Sequence, residues 1–112
     1  MKEYSLPRDR LSPLEFCGEL VAEVSSDPLK LGARWTELRL FATQGGNFVV
    51  QSLGMSKIPG EYNRSNVSVA KTLDEAASLF VRQGKVTWLS KKMFSAIGER
   101  YPHFTPPAER IA

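Results

Sequence analysis

The chain has 112 residues, of which 42% are hydrophobic and 24% are charged, a composition typical of one folded domain with a single core. Its formal net charge of +3, from 15 basic and 12 acidic residues, is far below the basic excess of a dedicated nucleic-acid-binding protein. The sequence contains no run near the roughly 18 apolar residues that a membrane-spanning helix needs. Because the first residues show no secretory pattern and the single cysteine, Cys17, cannot form an internal disulfide, we expect a cytoplasmic protein with no membrane partner.

Residues 1–13 mix charges with two prolines, Pro7 and Pro13, and show no periodicity. This pattern predicts an N-terminal arm that is loose or packed only by its few apolar residues. Residues 16–24 then alternate between apolar and polar side chains, which predicts a first strand with one buried face. The predicted buried face consists of Phe16, Gly18, Leu20, Ala22 and Val24.

Residues 35–43 alternate again and predict a second strand. Leu38 and Leu40 share one face of this strand, whereas Trp35 and Phe41 share the other. The second face therefore needs a cover, which could be the N-terminal arm, the C-terminal helices or a partner.

Gly45 and Gly46 predict a tight hairpin turn before a third strand that begins at Phe48. Two registers remain open at this point. A two-residue Gly-Gly turn puts Val49 on the face of Leu38, whereas a three-residue Gly-Gly-Asn turn puts Phe48 and Val50 there. Because a one-residue slip moves every side chain to the opposite face, the choice decides what the sheet buries.

After this hairpin, residues 54–66 predict a long loop and residues 67–69 a short strand. A capping box formed by Thr72 and Glu75 predicts the start of a helix, which we expect to end at Gly84. A second helix is predicted from about residue 87 to residue 97, with Gly98 as its stop. Residues 101–112 contain three prolines and predict a flexible tail.

Together these elements predict an α+β fold. An antiparallel meander of three or four strands would be covered on its apolar face by two C-terminal helices. The predicted organisation is an arm over residues 1–13, one domain over residues 14–100 and a tail over residues 101–112.

The chain shows no set of residues that predicts catalysis. Its only histidine, His103, lies in the predicted tail, and Cys17 would share a strand face with two glutamates, which is an unfavourable setting for a thiolate nucleophile. One histidine and one cysteine cannot supply the usual ligands of a zinc site, and no phosphate-binding or dinucleotide motif is present. We therefore expect no catalytic residues, no metal site and no cofactor.

The remaining signals predict a non-catalytic module that binds a macromolecule. They are a long loop, an aromatic second face of the sheet, a basic last helix and the absence of catalytic motifs. The hairpin tip at Gly45 and Gly46, together with the loop over residues 55–64, would form the presenting edge. The candidate partner-binding residues are Trp35, Arg39, Phe41, Lys57, Glu61, Tyr62 and Arg64.

A nucleic-acid partner is one alternative, because residues 82–100 hold five basic side chains against one acidic side chain. The candidate contacts in that case are Arg82, Lys85, Trp88, Lys91 and Lys92. Two further alternatives stay open. One is an enzyme with an unrecognised site around Glu61, Arg39 or Cys17, and the other is a homodimer formed through an edge strand.

The run RWTELRLFATQGGNFVVQSLGMSKIPGE, with TLDEAASLF after it, resembles small uncharacterised accessory proteins carried by plasmids, integrative elements and phages. The resemblance covers roughly residues 34–80. It implies a partner in the machinery of the host or of the element, including host-defence complexes and nucleic acid. It assigns no role to any single residue.

Overall fold

The computed structural model describes residues 1–81 and 86–108 of the chain. It confirms the predicted α+β class, with an antiparallel sheet followed by two helices, but the sheet has five strands rather than three or four. The strands run in the order β1-β2-β3-β4-β5. They are β1 (Lys2–Arg8), β2 (Leu11–Ser25), β3 (Arg34–Thr43), β4 (Phe48–Ser56) and β5 (Arg64–Ala70), and the helices are α1 (Leu73–Ser78) and α2 (Trp88–Arg100).

The additional strand is β1, so the prediction of an irregular N-terminal arm is wrong. β1 pairs with the first half of β2 from Lys2 opposite Gly18 to Leu6 opposite Leu14. Pro7 obscured this strand in the sequence. It lies at a break in the register between Leu6 and Arg8, where a missing backbone N–H is tolerated.

β2 is a long strand whose two halves have different partners. Its first half pairs with β1 and its second half with β3, and the two pairings meet at Gly18. A Cβ atom at Gly18 would lie only 2.3 Å from the carbonyl oxygen of Ala42, so only glycine fits at this close approach. The β1–β2 pair, which we call the ribbon, folds from this point over one face of the sheet.

Aromatic rings show where the ribbon packs. The ring of Phe41 on β3 lies 4.8 Å from the ring of Tyr4 and 5.4 Å from the ring of Phe16, measured between centroids. Leu6, Phe41 and Val49 form the buried centre of this ribbon-side core. The N-terminal residues are therefore the cover that the second face of the sheet required.

A bulge in β2 makes the predicted buried face of residues 16–24 wrong. The register with β3 shifts between Leu20 and Ala22, so one extra residue enters the strand. Phe16 consequently packs in the ribbon-side core, while Ala22 belongs to the opposite core. A period of two cannot show such a change, because the inserted residue reverses the faces after it.

The register of the β3–β4 hairpin puts Phe48 and Val50 on the face of Leu38 and Leu40. Ala42 pairs with Phe48 and Leu40 pairs with Val50. This is the side-chain arrangement that we associated with a three-residue turn, but the loop consists of residues 44–46 rather than 45–47. The amide of Thr43 donates to the carbonyl of Asn47 over 2.8 Å and closes the loop.

The helices cover the face of the sheet that carries Leu38 and Leu40, as predicted. Phe80, Met93 and Ile97 pack there with both leucines in the helix-side core. Full burial of a large apolar side chain contributes roughly 1.5–3 kcal/mol. The sheet thus has a core on each side, one covered by helices and one by the ribbon.

The predicted start of the first helix is confirmed, but other helix boundaries differ. The amide of Glu75 donates to the Thr72 hydroxyl over 3.1 Å. α1 then ends at Ser78, and the predicted stop, Gly84, lies outside the described residues. α2 continues through Gly98 to Arg100. The two helical residues after Gly98 are exposed, and the second of them, Arg100, forms an ion pair with Glu19 of β2.

The first part of the predicted tail contacts the core. The amide of Tyr101 donates to the carbonyl of Ile97 over 2.8 Å, and the ring of Phe104 lies 6.1 Å from the ring of Phe94. Phe104 packs against the helix-side core, whereas His103 is exposed.

We expect Gly18→Ala to lower the free energy of unfolding by about 1–3 kcal/mol or more, because the added methyl group meets backbone that cannot move without shifting β3. Urea denaturation measures the change. The matched control is Gly98→Ala in α2, where an added Cβ meets nothing within 4 Å and should stabilise the protein by roughly 0.5–1 kcal/mol. Equal effects of the two substitutions would contradict the close approach at Gly18.

Candidate functional site

Two loops lie together at one end of the sheet, which we call the loop end. They are the β2–β3 loop over residues 26–33 and the β4–β5 loop over residues 57–63. The amide of Lys57 donates to the carbonyl of Ala33 over 2.9 Å and joins them. A cleft of about 660 Å³ opens at this end, lined in part by Arg34, Trp35 and Tyr62.

Arg34 and Glu61 link the start of β3 to the β4–β5 loop by a bidentate ion pair. The Nε and Nη2 atoms of Arg34 donate to the two carboxylate oxygens of Glu61 over 3.0 and 2.6 Å. The hydroxyl of Ser56 donates to the same carboxylate over 2.5 Å. The hydrogen bonds from Arg34 and Ser56 lower the pKa of Glu61 to about 2, and Glu61 in turn raises the pKa of Arg34.

Asp27 fixes the backbone of the β2–β3 loop. Its carboxylate accepts hydrogen bonds from the amides of Leu31, over 3.1 Å, and Gly32, over 2.6 Å. These backbone hydrogen bonds, that of Gly32 first, lower the pKa of Asp27. Lys30, the residue before Leu31, has a positive φ of 55°, a strained conformation for a residue with a side chain. The loop is therefore held in one shape by its own carboxylate.

Trp35 lies beneath both loops. Its indole N–H donates to Glu37 over 2.7 Å, and the ammonium groups of Lys30 and Lys57 lie 5.7 and 5.8 Å from the ring centroid. The Lys57 ammonium also donates to the carbonyl of Lys30. The two loops thus contact each other through one lysine and share one aromatic ring.

Three large apolar side chains project from these fixed loops. Leu29 is 78% exposed, Leu31 is 83% exposed and Tyr62 is 90% exposed. The charges around them are mostly basic: Lys30, Arg34, Lys57 and Arg64 against Asp27 and Glu61. Both carboxylates are engaged within the loop end, whereas the exposed Arg64 has no ion pair with any described residue.

The structure brings four of the predicted partner-binding residues, Lys57, Glu61, Tyr62 and Arg64, to the loop end. The leucines of the loop SSDPLKLG were not among the candidates. Apolar residues among turn-forming ones were the signal that could have identified them.

The other three predicted partner-binding residues have contacts inside the protein. Phe41 is 2% exposed beneath the ribbon, and Trp35, although it lines the cleft, is only 8% exposed, so these rings offer little surface to a partner. Arg39 donates to Glu23 and Glu37 over 2.8 Å each. The aromatic face that looked available in the sequence is covered because the ribbon folds over it.

The hairpin tip does not share an edge with the long loop, so the predicted presenting edge is wrong. The turn at residues 44–46 precedes β4 and the loop at residues 57–63 follows it. The nine residues of β4 span about 30 Å, which separates the two features by the length of the strand.

The alternative nucleic-acid residues are described in part. Trp88, Lys91 and Lys92 are exposed on α2, and the Lys92 ammonium lies 5.3 Å from the Trp88 ring centroid. Arg82 and Lys85 lie outside the described residues.

Within residues 1–81 and 86–108, no group of three or more His, Cys, Asp and Glu side chains is placed to hold a metal ion. The helices of that part of the chain are too short or too polar to cross a membrane. Protein-family models, curated proteins and solved structures all give no match to this chain.

We expect Arg34→Gln to raise the pKa of Glu61 from about 2 toward its ordinary value near 4.5, because the largest cause of the shift is the hydrogen bond from Arg34. Carboxyl NMR titration measures this pKa. Arg64→Gln is the control and should leave it unchanged.

Since the folded pKa of Glu61 lies below its unfolded pKa, the contact stabilises the protein above about pH 4.5, and this contribution is lost as the pH falls toward 2. The urea midpoints of wild type and Arg34→Gln should therefore converge at low pH.

Proposed function

We propose that the protein is a non-catalytic binding module that holds a protein partner at its loop end. The observation that supports this is the combination of fixed loop backbones with exposed apolar tips. Leu29, Leu31 and Tyr62 expose most of their surface, although Asp27 and Glu61 hold the segments that carry them. Loops that are already ordered lose little conformational entropy on binding, so their apolar side chains can contribute most of their burial to affinity.

The electrostatics of the loop end favour binding over acid–base catalysis. A general base works best when its pKa lies near the working pH. The pKa values of Asp27 and Glu61 are both lowered, so both groups are weak proton acceptors at neutral pH. Both carboxylates also accept several hydrogen bonds within the loop end, two at Asp27 and three at Glu61.

The resemblance over residues 34–80 supports a more specific version of the proposal. Accessory proteins of mobile elements act on machinery of the host or of the element, and this chain would then bind a host protein complex. As a non-catalytic module, the protein would act on such a complex by covering one of its surfaces. Inhibition of a host-defence complex is one such outcome.

The experiment is a quantitative pull-down from extract of the native host, with and without nuclease. We expect a partner protein that survives nuclease and whose affinity for the double variant Leu29→Ser, Leu31→Ser falls at least about tenfold, because loss of two apolar anchors removes more than about 1.4 kcal/mol. Leu79→Ser, which removes an exposed leucine next to α1, is the matched control and should bind as wild type. Thermal unfolding followed by circular dichroism verifies that each variant is folded.

Two results would contradict the proposal. One is a partner whose capture disappears with nuclease, which means that it was held through nucleic acid. The other is a partner that binds the double variant and the control equally well, which means that its contact surface lies elsewhere on the chain.

Nucleic-acid binding through α2 is the second candidate, supported by the exposed Trp88 beside Lys91 and Lys92. We expect in that case that Lys91→Ala with Lys92→Ala weakens binding to a single-stranded oligonucleotide and reduces the slope of log affinity against log salt by about 1–2. Fluorescence anisotropy at several salt concentrations measures both effects. A salt-independent affinity, or equal slopes for wild type and variant, would rule this candidate out.

A further inference from the structure

β5 is an edge strand of the sheet. Beyond its first residues, the side of β5 that faces away from β4 has no hydrogen-bonded partner strand among the described residues. The tip of the ribbon covers the beginning of this edge. The amide of Asp9 donates to the carbonyl of Ser65 over 3.0 Å, and the amide of Ser65 donates to the carboxylate of Asp9 over 3.2 Å. The hydroxyl of Ser65 donates to the carbonyl of Pro7 over 2.6 Å. Ser65 therefore directs its backbone groups away from β4.

The alternation of an antiparallel ladder extends this observation along the strand. Residues 65, 67 and 69 direct their N–H and C=O groups to the same side, while residues 66, 68 and 70 direct theirs to β4. The neighbouring β3–β4 ladder agrees with this alternation. The amide of Lys57 donates to the carbonyl of Ala33 and the amide of Thr43 donates to the carbonyl of Asn47, so the odd-numbered residues of β4 direct their backbone groups to β3 and the even-numbered ones direct theirs to β5. Val67 and Val69 thus present four backbone groups at an edge on which no other described strand is hydrogen-bonded.

The other edges of the sheet are protected, and this one is not. The free edge of β1 carries Glu3 and Pro7. The second half of β2 lies against α2, and Arg100 forms an ion pair there with Glu19. Charges, prolines and covering helices are the usual means by which proteins prevent pairing at an edge. Residues 66–70 carry no charge and no proline, and α1 meets β5 only in the helix-side core, where Ala70 packs with Ala76 and Ala77.

An apolar cleft of about 330 Å³ adjoins the same part of β5. Leu14 and Phe16 of the ribbon line one part of it, Val49 and Val69 line another, and Thr43, Gln44 and Asn47 at the β3–β4 turn line the rest. Val69 is 54% exposed, although it belongs to the face of the sheet that the ribbon covers elsewhere. An added strand would place its alternate side chains over this cleft.

The charges at the edge determine which strand fits. Arg64 and Lys71 lie at the two ends of the open segment, and neither side chain forms an ion pair with a described residue. A second copy would bring its own Arg64 and Lys71, while its nearest carboxylates, Asp9 and Glu75, already accept hydrogen bonds from the amides of Ser65 and Lys71, so self-pairing gains little charge complementarity. A segment with carboxylates on both sides of an apolar centre matches the edge in charge and in side-chain alternation.

We propose that the edge of β5 binds an extended segment of a partner protein as a sixth strand, with alternate apolar residues opposite Val67 and Val69 and acidic residues near Arg64 and Lys71. Four backbone hydrogen bonds would hold the segment. This surface is separate from the three exposed side chains of the loop end and does not depend on them.

The first measurement is amide hydrogen exchange on the full chain. We expect the amides of Val67 and Val69 to exchange at least about tenfold faster than those of Asn66, Ser68 and Ala70, since only the latter donate to β4. Slow exchange at Val67 and Val69 in the monomer, or a concentration-dependent dimer in which they become protected, would overturn the proposal, because the edge would then be occupied by the protein itself.

The second measurement is an NMR titration of the same protein with the peptide acetyl-Glu-Val-Thr-Val-Glu-amide. We expect shifts at residues 66–70 and new protection of Val67 and Val69. The peptide acetyl-Lys-Val-Thr-Val-Lys-amide should bind several-fold more weakly, and the difference should shrink at high salt. Absence of shifts up to about 1 mM acidic peptide, or equal binding of both peptides, would refute the proposed partner chemistry.

Val69→Pro tests the backbone contacts, because it removes an N–H that points away from β4 and so leaves the ladder intact. We expect it to weaken the acidic peptide about tenfold, the effect of losing roughly 1.4 kcal/mol. Val69→Thr retains the N–H and the shape of the side chain and should bind within a few-fold of wild type. An unchanged proton–nitrogen spectrum away from β5 shows that Val69→Pro is folded, and full binding by that folded variant would overturn strand addition.

Discussion

The packing of the ribbon on Phe41 is the contact on which the rest of the molecule depends. Phe41, Val49 and Val67 lie on a face of the sheet that the helices do not reach, and such a face would be unstable in water. Gly18 allows β2 to turn back over it, and the rings of Tyr4 and Phe16 close on Phe41. Each aromatic pair contributes about 0.5–1.5 kcal/mol beyond the burial of its area. The same fold brings Asp9 to Ser65 and fixes the beginning of β5.

Because helices cover one face of the sheet and the ribbon covers much of the other, surfaces for a partner lie mainly at ends and edges. The loop end and the edge of β5 are two of the places where apolar side chains or backbone groups remain exposed, and Trp88 on α2 is another. Both the loop end and the edge of β5 are bordered by cations, and the carboxylates near them already accept hydrogen bonds: Asp27 from its own loop, Glu61 from Arg34 and Asp9 from Ser65. An acidic surface would therefore match both places in charge.

Several residues of the candidate site could be predicted from the sequence, but not which of them lie together in the fold. Tyr62, Lys57 and Arg64 were identifiable because they lie in a long polar loop, which is where small domains place binding residues. The sequence could not show that the β2–β3 loop lies beside them, since that follows from the pairing of β2, β3 and β4. Phe41 was misassigned for a related reason. Its exposure depends on Tyr4, which is 37 positions away in the chain.

The sequence by itself determined the features that are set within a few residues: the α+β class, the alternation of β3, the hairpin at Gly45 and Gly46, and the cap of α1 at Thr72. These depend on local hydrogen bonds and on side-chain periodicity, which a short segment contains in full. Only the tertiary structure decided that β1 is a strand, that a bulge reverses the faces of β2 and that α2 continues past Gly98. In each case the contacts are made far along the chain: the ribbon buries Phe41, the bulge moves Ala22 into the helix-side core, and Arg100 pairs with Glu19.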